Sequence, residues 1–200
     1  MATKQPASAQ EIYQIKVTLA GTRPPIWRRL LLPAETTLEL LHHVLQAAVG
    51  WQECHMHDFR IGRQRFGKPE PEYGFEDTVN ERTVRFSAVL GKVGAKAVYT
   101  YDFGDSWEHD IVVEKVLKPD PALAYPVCIA GKLQGPPEDC GGIDGYYNLI
   151  EALGDPNHAE HEDLLEWIGG EFNPNDFSVE DVNRRLAPFR RRKAKRKAGS

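Results

Sequence analysis

Ile12-Tyr13-Gln14-Ile15-Lys16-Val17-Thr18-Leu19 alternates without a break, with Tyr13, Ile15, Val17 and Leu19 on one side and Gln14, Lys16 and Thr18 on the other. A period of two built from aromatic and β-branched residues predicts a half-buried strand. The cluster Gly21 to Pro25 punctuates it, and Ile26 to Leu32 predicts a second strand that Pro33 ends. Thr36 followed by Glu39 has the form of a capping box. Leu38, Leu41, Val44, Leu45 and Ala48 then recur at helical spacing as far as a stop at Gly50. Two strands feeding an amphipathic helix make a β-grasp-like ββα start, and the predicted fold is α+β with a mixed sheet.

Further along, Met56 to Ile61 predicts a strand whose partner begins near Arg65, followed by a Pro- and acid-rich loop from Lys68 to Asp77. Val84 to Leu90 fits a strand or a short helix. Ala97 to Phe103 and Trp107 to Leu117 form a strand pair joined by Gly104-Asp105-Ser106. Pro119 to Pro137 reads as a long connection holding one short apolar run, Val127 to Ala130. The rest is a helical C-terminal portion. Tyr146, Leu149, Ile150 and Leu153 share a face after Asp144, an acid-led helix carries Leu164, Leu165, Trp167 and Ile168, and Ser178 with Asp181 makes another capping box. The organisation expected is a disordered N-terminus over 1–10, one domain over 11–189 and a disordered basic tail over 190–200.

The formal net charge of −4 conceals an uneven distribution. Arg190 to Lys197 carries seven of the 25 basic residues, so the body holds 18 against 29 acidic ones and sits at −11. Such a body is not a dedicated nucleic-acid-binding face, and only weak contact through the tail is expected. No apolar run approaches the roughly 20 residues that span a bilayer, and Met1 to Gln10 has no signal-peptide core. Together these predict a cytoplasmic protein without membrane contact. Cys54, Cys128 and Cys140 are odd in number and form no C-x-x-C pair, so reduced thiols and no structural zinc are expected.

Chemistry-bearing residues concentrate in two stretches. Tyr99-Thr100-Tyr101-Asp102-Phe103-Gly104-Asp105-Ser106-Trp107-Glu108-His109 places two acids, a Trp and a His around a tight hairpin, with Trp107 and His109 on one face and Glu108 on the other. A purely structural hairpin accounts for the same letters if an acid accepts the turn N–H groups and Gly104 takes a positive φ. Asp102-Phe103-Gly104 matches the kinase metal-binding triplet, but the chain lacks the glycine-rich loop, the catalytic-loop motif and the length. Phe103-Gly104-Asp105-Ser106 imitates the nucleophile block of GDSL-type hydrolases, yet a strand follows Ser106 where a helix is required. The second stretch, Cys128 to Tyr146, sets Pro136-Pro137-Glu138-Asp139 and two glycines before a helix start, a loop suited equally to a site and to a scaffold. His55 and His57, at i and i+2 on the predicted third strand, would point the same way, a workable metal spacing that also suits two hydrogen-bonded imidazoles. His43 falls opposite the apolar stripe of the first helix, with His42 at its edge.

Four blocks carry a resemblance. Ile26-Trp27-Arg28-Arg29, His55-Met56-His57-Asp58-Phe59, Tyr101 to His109 and Pro136 to Tyr146 are similar to the marks of the plasmid pRiA4b ORF-3-like family, and Phe172-Asn173-Pro174 and Val182-Asn183-Arg184-Arg185-Leu186 resemble its ending. One departure is Leu133-Gln134-Gly135, where some relatives carry a cysteine, so a metal site using that thiol does not carry over. The resemblance implies no established activity, an association with plasmids and mobile elements, and in some relatives a name suggesting transposon resolvase. No Y-x-R-x-S-type block of a serine recombinase stands here. The expected function is therefore a binding or accessory protein for an unknown protein or small ligand. Its recognition cluster would gather His55, His57, Asp102, Asp105, Trp107, His109, Glu138 and Asp139. The alternative is a metal-dependent hydrolase using the same cluster. The first reading needs no metal or cofactor, and the second needs a divalent ion that activates water.

Overall fold

The computed structural model describes residues 11–70, 72 and 76–190. Both termini expected to be disordered, 1–10 and 191–200, lie outside them. Arg190, expected to open the tail, is instead tied to the body: its Nη2 donates to Asn183 Oδ1 at 3.0 Å and its Nε to the Pro126 carbonyl at 3.3 Å.

The predicted hairpin forms as β1 (Ile12–Leu19) and β2 (Trp27–Pro33), paired antiparallel with Ile15 opposite Leu30. Helix α1 (Leu38–Val49) follows and ends at Gly50 with φ 110°. Its cap is Thr37, whose side chain accepts from Leu40 N, and not Thr36. Thr36 is already engaged through its backbone, its N–H donating to Pro33 O and its carbonyl accepting from Phe86 N, so the helix starts one residue later.

Strands β3 (His57–Ile61), β4 (Gln64–Gly67), β5 (Val79–Asn80), β6 (Lys96–Tyr101), β7 (Trp107–Leu117) and β8 (Val127–Lys132) complete one eight-stranded sheet in the order β5-β4-β3-β6-β7-β1-β2-β8. Among the described residues only β4 and β5 pair in parallel. One open alternative is resolved and two expectations are corrected. Phe86–Leu90 is a helix, α2. The loop joining β6 to β7 runs from Asp102 to Ser106, since Tyr101 is the last residue paired with Trp107. The run inside the long connection is a true strand, β8, which covers the outer edge of β2 with a bulge at exposed Ile129.

Helices α3 (Gly142–Gly154), α4 (His161–Ile168) and α5 (Val179–Leu186) make up the C-terminal portion, with Ser178 capping α5 as predicted. The apolar letters of α4 do not form a core, because none of its residues is buried and Trp167 is exposed. The core lies between one face of the sheet and α1. Tyr13, Ile15, Val17, Leu30, Leu32, Phe59, Tyr99, Trp107, Ile111 and Val113 meet Leu38, Leu41, Val44 and Leu45 there. Register puts Arg28 on this same face, opposite Val17. Its guanidinium is buried and donates to the Ala48 carbonyl at the end of α1, and to the Trp27 and Lys132 carbonyls, while lying over the Phe177 ring. Burial lowers its pKa to about 10.

Candidate functional site

The expected cluster forms only in part, at the end of the sheet where β3 begins. Pairing of β3 with β6 starts at His57, which lies opposite Tyr101. His55 is thus outside the pleat, and the two imidazoles diverge. His57 Nε2 approaches Glu81 Oε2 at 3.0 Å, and its ring lies flat on that of His42. His55 turns the other way, with Nε2 2.9 Å from Asp139 Oδ1 and 3.6 Å from Asp102 Oδ2.

Backbone geometry fixes both acids. Asp102 and Asp139 hold φ values of 54° and 58°, in the left-handed region that Asp tolerates better than most residues. Asp102 Oδ1 accepts from Gly104 N at 2.9 Å and from Asp105 N at 3.4 Å, which leaves Oδ2 facing His55. Positive φ in this turn belongs to Asp102 and Ser106, and not to Gly104 as expected, because the five-residue loop reverses at its two ends.

Four expected members sit elsewhere. Trp107 and His109 share a face as predicted, but it is the core face, and they are 1% and 2% exposed. His109 packs edge-on against Trp51, and burial lowers its pKa to about 4. Asp105 orients neither His109 nor the turn. Its Oδ2 accepts from Gly141 N at 3.2 Å and ties the loop to the start of α3. Glu138 Oε1 accepts from the Tyr101 hydroxyl at 2.6 Å and from Gln52 N at 3.1 Å, so it braces the cluster from behind. Burial and then Glu138 raise the pKa of Tyr101.

Two residues that carried no functional expectation organise this region. Trp51 stacks on Tyr101 with ring centroids 4.9 Å apart, touches Trp107 at 5.8 Å, and donates from Nε1 to the Pro136 carbonyl at 2.9 Å. It thereby joins the end of α1 to the β6–β7 hairpin and the double-proline loop. His42 is buried, its Nδ1 2.7 Å from the Tyr99 hydroxyl, which also accepts from Gln46 Nε2. Desolvation, reinforced by His57 and His43, lowers its pKa to about 2.

A cavity of about 310 Å³ opens beside the cluster, lined by His55 and His57 together with His42, Asp58, Thr78 and Phe103. Asp58 Oδ2 is engaged by Arg65, whereas Asp58 Oδ1 and Thr78 Oγ1 are buried with no hydrogen-bond partner among the described residues.

The protein is similar to two others across nearly its whole length. The uncharacterized protein y4hQ of Sinorhizobium fredii (strain NBRC 101917 / NGR234) is 37% identical over 195 residues, covering 93% of this chain and 97% of y4hQ. The crystal structure of MM3350, a protein of unknown function from Methanosarcina mazei Go1, superimposes with a TM-score of 0.79 at 34% identity, over 88% of this chain and 99% of MM3350. With the sequence model of the plasmid pRiA4b ORF-3-like proteins matching residues 11–181, the chain belongs to that family.

Proposed function

We propose that the chain is a small-ligand-binding accessory protein of plasmids and mobile elements, and that its ligand enters the cavity between His55, His57, Asp58 and Thr78. The observation that carries the binding half is the clustering of unsatisfied polar atoms. Among the described residues five buried side-chain N or O atoms lack an aligned hydrogen bond, and three of them, His55 Nε2, Asp58 Oδ1 and Thr78 Oγ1, belong to residues lining this one cavity. A buried polar group without a partner costs about 1–3 kcal/mol, so Asp58 Oδ1 and Thr78 Oγ1 beside one space favour a ligand that completes them, with His55 at its edge. The volume suits a small molecule at the lower end of the usual range, about 300–1,000 Å³. What supports the accessory half is the plasmid in the family's name. The basic run after Phe189 would add salt-dependent contact with nucleic acid.

A thermal-shift screen of polyols, amino acids and nucleosides tests the reading. At least one class should raise the melting temperature of the protein saturably and leave Asp58→Asn unmoved. A panel that shifts neither protein, or both equally, would sink it.

A further inference from the structure

We infer that His55 Nε2, Asp102 Oδ2 and Asp139 Oδ1 are three ligands of a divalent first-row cation. The three atoms come from separate parts of the chain: the connection before β3, the β6–β7 loop and the loop before α3. All lie within 4.8 Å of one another. Nitrogen and carboxylate oxygen bind such ions at about 2.0–2.2 Å, which puts neighbouring ligand atoms about 3.0–3.5 Å apart in octahedral or tetrahedral geometry. The separations of 2.9 and 3.6 Å from His55 Nε2 are close to these edges.

An ion pair alone does not account for the arrangement. His55 Nε2 is buried and stands near two carboxylate oxygens, yet Asp139 Oδ1 at 2.9 Å lies off the hydrogen-bond direction and Asp102 Oδ2 at 3.6 Å lies beyond hydrogen-bond length. A nitrogen aimed between two acids is placed for an ion that all three can face. The surroundings hold each ligand in position, as outer partners do in metal sites. Tyr101 packs edge-on against the His55 ring at 5.7 Å, and the Gly104 and Asp105 N–H groups orient the Asp102 carboxylate.

A second constellation, His42, His43 and Glu53, also converges but is already satisfied. His43 Nδ1 is hydrogen-bonded to Glu53 at 2.9 Å, and His42 Nδ1 is taken by Tyr99. One imidazole with two carboxylates favours a borderline-to-hard ion, so Mn²⁺ is the probe of choice. Three protein ligands leave positions open to water or to an oxygen of a ligand in the adjoining cavity, which His55 also lines.

The test is Mn²⁺ binding to untagged full-length protein, followed by electron paramagnetic resonance and calorimetry. One saturable site per chain is expected. Asp139→Asn should weaken it at least tenfold, and His55→Ala should abolish it. The Asp139 side chain is 66% exposed, so its replacement should leave the fold intact, with an unchanged circular dichroism spectrum as the control. His43→Ala should leave binding unchanged. So should Asp58→Asn, a result that separates this site from the small-ligand reading of the cavity. No stoichiometric Mn²⁺ in the wild type, undiminished binding in Asp139→Asn and His55→Ala, or loss in His43→Ala would each overturn the assignment.

Discussion

His42 and His57 lie face to face, their ring centroids 3.5 Å apart and their planes 2° from parallel. One ring comes from the first helix and the other from the start of β3, so the pair joins the two layers of the fold beside the cavity. The environment of His42 admits only the neutral imidazole at ordinary pH.

Acid should therefore unfold this protein earlier than its carboxylates alone would. His109 has a folded pKa of about 4, against about 6.5 in an unfolded chain. Because the folded value is the lower one, the unfolded state binds the extra proton. The stabilisation is complete above about pH 6.5 and shrinks as pH falls, by about 3 kcal/mol on reaching pH 4. His42 extends the loss to lower pH. Urea unfolding at pH 7, 5.5 and 4.5 should show the decline, and His109→Gln should reduce it by about half across this window, because His42 contributes over the same range.

The fully buried Arg28 should be more costly to remove than its neighbour. Arg28→Ala leaves the Ala48 and Lys132 carbonyls without their donor and strips the guanidinium from Phe177, a loss of about 2–4 kcal/mol in equilibrium unfolding. Arg29, part-exposed and forked onto Glu114, should cost only about 1 kcal/mol when changed to Ala.

Gly142 should tolerate no side chain. A Cβ there would stand 2.7 Å from the Asp105 carbonyl oxygen, at a φ of 69° that L-residues rarely adopt. Gly142→Ala should push the hairpin loop away from α3 and lower stability by about 2 kcal/mol. Asp105→Ala, which removes only the bond to Gly141 N, should cost no more than about 1 kcal/mol and leave Mn²⁺ affinity unaltered.

Trp51→Ala would test whether one ring organises the site without touching it. Loss of its packing against Tyr101 and Trp107 should cost about 3–5 kcal/mol. The freed Pro136 carbonyl would loosen the loop carrying Asp139, so Mn²⁺ affinity should fall although all three ligands remain. Unchanged affinity in a folded Trp51→Ala would show that the loop is held by other contacts.

Residues with strict periodicity were the legible ones. β1, α1 and β7 follow the alternation of Ile12 to Leu19, the stripe from Leu38 to Ala48 and the alternation after Trp107. β8 escaped because Cys128, Ala130 and Gly131 carry little strand preference and a bulge at Ile129 breaks the period. In the site, His55, Asp102 and Asp139 could be named because acids and histidines gather near glycines and prolines. That density does not tell inside from outside: the pairing of Tyr99 with His109 turned His109 into the core. His42 was placed at the stripe's edge, and only the arrival of Tyr99 and His57 from distant strands buries it. Trp51, a single aromatic after a helix stop, carries no local signal of its four partners Tyr101, Trp107, His109 and Pro136.

The order of strands also dictates an order in time. Among the described residues the β1–β2 hairpin comes first in the chain, yet its two edges pair with β7 and β8, about a hundred residues later. Bringing Ile15 beside Val113 closes a loop whose entropy costs about 4 kcal/mol before any strand contact offsets it. During synthesis the two edges of the hairpin must therefore stay unpaired until residue 132 has emerged, although its apolar face can already meet α1. A folding rate set by this late, long-range closure is the expected result, with the β3–β4 and β6–β7 hairpins forming well ahead of it.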